Sequence, residues 1–280
     1  TGRFAPGAEG EDHRDGDGPA RQGSVPGNGC LSGRQLLLLD SCRDVLADVA
    51  WADQVLVVDS FSADETVTLC REHGAEVLQH EYINSATQKN WAIPHCAHEW
   101  VLVVDTDERL PAELQTEIRS LLAAGILPQV DAYRVARKTM FLGKWLRRMN
   151  LWPDYQTRLF RKSVGRYQDK EVHADVRVPG EVRTLTHPLV HNATPSLSKQ
   201  IGQLDRYSRY QADEWHKHGA RFHWFDVTVR PPAVFLYRYL WQGGFTEGFR
   251  GLFVAFHNMA FSFFTHARLW EKEWAARQRR

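Results

Sequence analysis

The sequence predicts an α/β domain with a mostly parallel central sheet flanked by helices, followed by an aromatic and basic helical extension. Three observations carry this expectation. Val55-Leu56-Val57-Val58 and Val101-Leu102-Val103-Val104 are unbroken aliphatic runs that stop at Asp59 and Asp105, the pattern of strands buried on both faces. Helical periodicity alternates with these runs, and strand–helix–strand order gives right-handed crossovers and parallel pairing. From residue 222 to 270, Phe, Tyr and Trp recur with basic residues between them.

Taken in order, residues 1–34 are rich in Gly, Pro and charge and nearly free of aliphatics, so they are expected to form a disordered tail. Leu36 to Leu39, ending at Asp40, suggest a first strand, and Val45 and Val49 a short helix. After the Val55–Asp59 strand, Ser62-Ala63-Asp64-Glu65 reads as a capping box, and Gly74 stops the helix that follows. Ala75 to Gln79 make the next strand. Ser85 opens a helix with Gln88 at the capping-box position. The Val101–Val104 strand precedes a helix from Pro111, whose Leu114, Ile118, Leu121 and Leu122 share a face.

Beyond Asp131 the pattern changes. Ala132–Lys138 and Arg158–Lys162 read as strands joined by a Trp- and Arg-rich loop holding Trp145, Arg147, Arg148, Trp152 and Asp154. Val172–Val178 alternates like a strand with one polar face, and Ser196–His218 is an amphipathic helix. Three parts are therefore expected: the tail 1–34, an α/β domain over 35–195, and a helical region over 196–280. The aromatic residues after 222 suit helices lying in a membrane interface, or a cover for the sheet domain.

The chain's 280 residues, 43% hydrophobic and 25% charged, are those of an ordinary soluble protein. A net charge of +1 gives no bulk attraction to nucleic acid, and no nucleic acid partner is expected. The balance is uneven, with 13 Lys/Arg against 7 Asp/Glu from Leu197 onward. Cys30, Cys42, Cys70 and Cys96 form no C-x-x-C pair, which favours reduced thiols over a disulfide frame. His95-Cys96-Ala97-His98 lacks the second ligand cluster that zinc would need. No secretory signal and no bilayer-spanning run is visible. The chain starts at Thr1 rather than Met, as a fragment or processed form would.

The chemistry centres on Asp105-Thr106-Asp107. Ligands in open α/β sheets sit at the carboxyl ends of strands, where two carboxylates could hold Mg²⁺ or Mn²⁺ and bridge to phosphates. The alternative is that these acids merely cap the next helix. No G-x-G-x-x-G and no G-x-x-x-x-G-K-[ST] is present, so nucleotide recognition would rest on carboxylates plus a metal.

Trp51-Ala52-Asp53-Gln54-Val55-Leu56-Val57-Val58-Asp59-Ser60-Phe61-Ser62-Ala63-Asp64, Gln88-Lys89-Asn90-Trp91-Ala92 and Trp100–Glu108 resemble, in order and spacing, three segments of the family 2 glycosyltransferases, which have the GT-A fold. Phe141-Leu142-Gly143-Lys144-Trp145, Pro153-Asp154-Tyr155-Gln156, Arg158-Leu159-Phe160-Arg161 and Val172-His173 resemble the lipopolysaccharide-core β-glycosyltransferase subgroup. The resemblance spans about residues 44 to 273.

It implies a metal-dependent, inverting, hexosyltransferase-type enzyme. The sugar would move from a nucleotide-sugar donor, a UDP-sugar first among them, to a lipid-linked or lipopolysaccharide-type acceptor. The setting implied is the cytoplasmic face of the cell membrane, with peripheral membrane contact. Asp59, Ser60, Asp64, Lys89, Asp105 and Arg158 become substrate-binding candidates. Asp59 would meet the uracil or ribose, Lys89 the nucleotide and Asp105 the ribose. Asp107, with Asp105, would hold Mg²⁺ or Mn²⁺ on the diphosphate. Arg158 and Arg161 could meet phosphate through bidentate contacts, or line a solvated strand edge.

Two departures stand out. Residues 30–43 do not match the family's first strand and its Asn-Glu pair. The subgroup reads Val-His-Glu where this chain has Val172-His173-Ala174, which removes the expected base. Asp175, Glu171 and Asp169 are substitutes, and His173 could orient substrate or bind phosphate. These departures keep open a second reading, a catalytically impaired GT-A relative that binds nucleotide or membrane without turnover. A nucleotidyltransferase would need a glycine-rich basic loop that is absent.

Overall fold

The computed structural model describes residues 42–168, 174–194 and 196–278; the expected tail and first strand lie outside them. The first half alternates as expected. Helix α1 (42–49) leads to β1 (Leu56–Asp59), α2 (Thr66–Glu72) and β2 (Glu76–Gln79), with β1 and β2 parallel. Leu46, Cys70 and Ala75 close a small core on this unit, and burial pushes the Cys70 thiol up to about 11. Then come α3 (Ser85–Ala92), β3 (Trp100–Leu102), β4 (Glu108–Arg109) and α4 (Ala112–Ala124).

The centre of the sheet is β5 (Val130–Phe141), twelve residues long, where a seven-residue strand is expected. It pairs with β6 (Lys144–Trp145), β7 (Asp154–Arg161), β10 (Glu181–Thr184) and β11 (Leu189–Thr194). The order β3-β7-β5-β11-β4 is mixed: β10 and β11 run parallel to β5, while β3–β7, β5–β7 and β4–β11 are antiparallel. The mostly parallel order expected thus holds around β1–β2 and β5–β10–β11, and hairpin returns supply the rest. A ribbon of β8 (Arg166–Tyr167) and β9 (Val176–Arg177) stands apart from this sheet. Of the alternating stretch 172–178, only Val176–Arg177 is strand among the described residues. Leu114, Ile118, Val135 and Leu159 fill one face, and Ala86, Ile93, Phe160 and Tyr167 the other.

Local capping differs from expectation. Asp59 accepts the Ser62 amide, which takes Ser62 out of the anticipated capping box. Asp64 instead receives the Thr66 amide at 3.0 Å, and α2 begins there. Asn84 caps α3 by accepting from the Thr87 amide at 2.9 Å, while Gln88 turns to His80 and Ser60. On α4, Leu114 and Ile118 are buried but Leu122 is exposed. Asp48 of α1 accepts from the Arg109 guanidinium at 2.6 and 3.0 Å and from the Leu110 amide at 2.9 Å, fixing α1 to the segment after Asp107.

The C-terminal region is helical. It comprises α5 (Leu197–Lys217), α6 (Trp224–Thr228), α7 (Arg230–Leu236), a π turn (Tyr237–Trp241), a 3₁₀ turn (Gly244–Glu247) and α8 (Phe249–Gln278). Helices α5 and α8 are linked by Arg268–Asp205 and Lys272–Asp213 ion pairs, and Ser208, Ala212, Ala255 and Thr265 are fully buried. No helix among the described residues is long and apolar enough to cross a membrane.

A Cβ on Gly251 of α8 would lie 1.8 Å from the Gly244 carbonyl oxygen, whereas one on Gly202 of α5 would meet nothing within 4 Å. Gly251→Ala should therefore destabilise by about 3 kcal/mol through overpacking, and Gly202→Ala should stabilise by about 1 kcal/mol through helix propensity. Thermal unfolding of the two variants checks the opposite signs.

Candidate active site

The site is built where β3 and β7 end their pairing. The Val103 amide donates to the Arg158 carbonyl at 2.8 Å, which carries Asp105 past the strand end beside the Arg158 side chain. The chain then closes a tight turn. The Glu108 amide donates to the Asp105 carbonyl at 2.9 Å, and the Asp105 amide donates to the Glu108 carboxylate at 3.1 Å. Glu108 returns into the sheet opposite His191 of β11 and is 0% exposed.

Arg158, 4% exposed, reaches both acids: its Nη2 lies 2.7 Å from Asp105 Oδ2 and also contacts Glu108 Oε1. Lys89 of α3 lies 2.7 Å from Asp105 Oδ1 and 5.3 Å over the Tyr167 ring. Two carboxylates thus face two cations, with Glu108 and Arg158 buried and Asp105 and Lys89 partly open. Burial alone would raise the Asp105 carboxyl, but Arg158 and Lys89 outweigh it and hold Asp105 well below the usual carboxylate range. For Glu108 burial wins over Arg158, and its carboxyl is pushed up. Burial also raises the Tyr167 hydroxyl, keeping it a neutral donor. That hydroxyl and Arg158 Nε are buried without a hydrogen-bond partner among the described residues.

A polar cavity of about 330 Å³ opens over this network. Lys89, Asp105, Arg158 and Asp175 line it, so four expected residues converge. Arg137, Gln156, Tyr167 and Tyr207 also line it and were not assigned from sequence, Tyr207 entering from the C-terminal helix α5. Ala174 lines it too, at the position of the missing Glu. Glu171, His173 and Asp169 fall outside the described residues.

The other expected residues sit elsewhere. Asp59 is 4% exposed at the end of β1, where burial raises its carboxyl but bonds from Ser62 and Gln79 bring it below its ordinary range. Ser60 accepts from Gln88 at 3.2 Å and Asp64 accepts the Thr66 amide just before α2; none of the three lines the cavity. Asp107 turns towards β11, its Oδ2 3.5 Å from His191 Nε2. The solvated-edge alternative for Arg158 is overturned, because β7 lies between β3 and β5. Arg161 serves structure, donating to the Val130 carbonyl and stacking on Trp100.

Asp105 sits between Lys89 and Arg158, whose positive charge opposes a divalent ion there, so the pair left for one is Asp107 and His191, 3.5 Å apart at Oδ2 and Nε2. No group of three or more His, Cys, Asp or Glu side chains is poised for a metal among the described residues.

The family model for glycosyl transferase family 2 matches residues 37–177, half of the chain. The chain belongs to glycosyl transferase family 2, and it is a glycosyltransferase enzyme. Its α/β fold with a C-terminal helical extension is the one expected. It is similar to the lipopolysaccharide core biosynthesis glycosyltransferase LpsC of Rhizobium meliloti, 27% identical over 226 residues, covering 78% of this chain and 83% of LpsC. It is also similar to an uncharacterized glycosyltransferase of Rickettsia felis, 29% identical over 226 residues, with 78% and 79% covered. A solved structure of S. aureus TarS 1–349 in complex with UDP-GlcNAc superposes with a TM-score of 0.41 at 13% identity, over 83% of this chain and 88% of that one. That likeness is too slight to carry the fold.

Arg158→Met should cost about 3–5 kcal/mol, the loss expected when a buried carboxylate is left without its partner. A carboxyl whose folded pKa stands above its unfolded value loses stability as pH rises and recovers it as pH falls. Denaturant unfolding should therefore show the full loss at mildly alkaline pH and a smaller one at mildly acidic pH, as Glu108 takes up a proton.

Proposed function

We propose that this glycosyltransferase moves a sugar, with inversion, from a nucleotide-sugar donor to a lipid-linked or lipopolysaccharide-type acceptor. The observation that carries this reading is Asp105, held between Lys89 and Arg158 at the edge of a polar cavity. Asp105 is ionised and fixed, suited to accept from ribose hydroxyls. Lys89 and Arg137 supply positive charge for a diphosphate, and a UDP-sugar is the donor proposed. The similarity to LpsC supports an acceptor of the lipopolysaccharide type.

Asp107 and His191 are the residues proposed to hold Mg²⁺ or Mn²⁺. Such an ion, when bound, supplies charge that stabilises the departing diphosphate. In the transfer, the acceptor hydroxyl oxygen bonds to the anomeric carbon as the bond from that carbon to phosphate oxygen breaks. The nucleoside diphosphate leaves, and the hydroxyl proton passes to a carboxylate on the far side. Asp175 is the candidate base among the described residues, since it lines the cavity beside Ala174.

Membrane contact is proposed for the C-terminal region. Leu240, Phe245, Phe249 and Phe256 are exposed, and Trp241 is 83% exposed. Side chains that only covered the sheet domain would be buried. So many exposed large apolar side chains within residues 240–256 suit an interaction face, and peripheral attachment at the inner face of the cell membrane is the setting proposed.

Ala174 favours one second reading, a relative that binds donor without turnover. Release of nucleoside diphosphate from a donor panel separates the two. Turnover that needs Mn²⁺ or Mg²⁺ and falls at least about a hundredfold in Asp107→Ala supports transfer, on the scale of a lost electrostatic stabiliser. Donor-induced thermal stabilisation without release across the panel selects the second reading. For the membrane, Trp241→Glu with Phe245→Glu should abolish flotation of the full chain with liposomes; undiminished flotation would refute that contact.

A further inference from the structure

The Trp- and Arg-rich loop has no place in the site described above. It belongs to the hairpin formed by the end of β5, β6 and the connection to β7. Trp145 pairs with Met140 across this hairpin and meets Trp152 edge-on at 4.9 Å. Two cations lie against the Trp145 ring, Lys138 Nζ at 4.7 Å and the Arg147 guanidinium at 4.1 Å from its centroid. They are therefore no more than about 9 Å apart, inside one Debye length.

Neither cation has a carboxylate partner among the described residues, although Lys144 next to them is paired with Glu247 at 3.0 Å. The Trp145 Nε1–H is buried and likewise has no acceptor among those residues. The two cations are like charges held on one ring and the buried Nε1–H is a donor without an acceptor, so an anion with acceptor oxygens would relieve the repulsion and satisfy the donor together. A phosphate group has the charge and the acceptors to satisfy all three.

The surroundings say where that phosphate comes from. The connection after Arg147 is clamped to the C-terminal region: Arg238 donates to the Met149 carbonyl at 2.7 Å and the Met149 amide to the Gln242 carbonyl at 3.2 Å. Arg148 lies against Gly243. The clamping segment also carries Leu240 and Trp241, and Phe245 follows, all exposed. A phosphate site tied directly to an exposed apolar segment, with both charges unpaired, matches the order of a bilayer interface, where headgroup phosphates lie beside acyl chains.

We propose that Lys138, Arg147 and the Trp145 Nε1–H form a binding site for the headgroup phosphate of an anionic phospholipid, which orients the enzyme on the membrane. The proposal rests on the membrane contact proposed above and adds to it a lipid preference and the residues responsible.

Flotation of the full chain with phosphatidylcholine vesicles, with and without phosphatidylglycerol, tests it. The wild type should bind the anionic vesicles more tightly and lose that preference at high salt. Lys138→Ala with Arg147→Ala should weaken anionic binding about thirtyfold, from about 1 kcal/mol per basic residue near an anionic surface, while binding neutral vesicles as before. Trp145→Phe keeps an aromatic face and loses the donor, and should weaken it at least about fivefold, the scale of one hydrogen bond. Arg71→Ala with Arg119→Ala removes the same charge from exposed positions on other helices and should leave the preference intact.

The Lys138 and Arg147 side chains make cation–π contacts with Trp145 and no hydrogen bonds to described residues, so the double variant should remain folded and lose no more than about 2 kcal/mol of stability, which thermal unfolding checks. Equal wild-type binding to both vesicles would overturn the phosphate site and leave the membrane contact standing. Binding to neither would remove the contact itself. Retention of the preference in the double variant would overturn the assignment of residues. Thermal stabilisation by inorganic phosphate, without a phosphatidylglycerol preference, would assign the site to a soluble phosphate ester and overturn the lipid source.

Discussion

Arg158 is the side chain on which the site depends, because it makes burial of Glu108 tolerable and holds Asp105 in place at once. A buried ion pair gains little over apolar packing, but losing one partner is severe. This arrangement therefore reads as a device for position rather than stability. Glu108 anchors the turn through the Asp105 amide, Arg158 anchors Glu108, and Lys89 fixes the remaining oxygen of Asp105. The carboxylate at the cavity mouth is set in charge and direction before any substrate arrives, and pre-set polar groups lower the reorganisation that transfer chemistry demands.

The C-terminal helices are not a separate appendage to this arrangement. Tyr207 of α5 lines the same cavity as Asp105. Arg250 donates to the Phe141 and Leu142 carbonyls, and Glu247 accepts the Arg147 amide, so the end of β5 is held by side chains a hundred residues later. The region with the most exposed aromatic surface thus also braces the strand that carries Arg137 into the cavity.

Much of this was legible in the sequence. The aliphatic runs gave β1 and β3, the 3.6-residue period gave α4, and Lys89, Asp105, Arg158 and Asp175 were candidates before they were seen to share a cavity. What escaped depends on distant pairing. Hydropathy places Glu108 in water, and only Arg158, fifty residues on, reverses that. His191 and Tyr207 carry no local signal, because β4–β11 pairing and the path of α5 bring them in. The ends of β5 beyond the expected Ala132–Lys138 are set by pairing that carries no local signal, Val130 with Glu181 of β10 and Met140 and Phe141 with β6. The capping box failed because Asp59 claimed an amide that propensity assigns to the helix start.

The connectivity of β5 also constrains how the chain can be made. Every partner of β5 lies downstream of it, β3 has β7 as its partner, and β4 waits for β11 at residues 189–194. On the ribosome, the β1–β2 unit can close early, yet the large sheet stays open until residues 189–194 have emerged. Assembly of that sheet is dominated by non-local contacts, which are slow to form and leave strand edges uncovered meanwhile. The Asp105–Arg158 contact spans a similar gap, so the cavity and the sheet come into being together, only after the strands beyond β5 have been made.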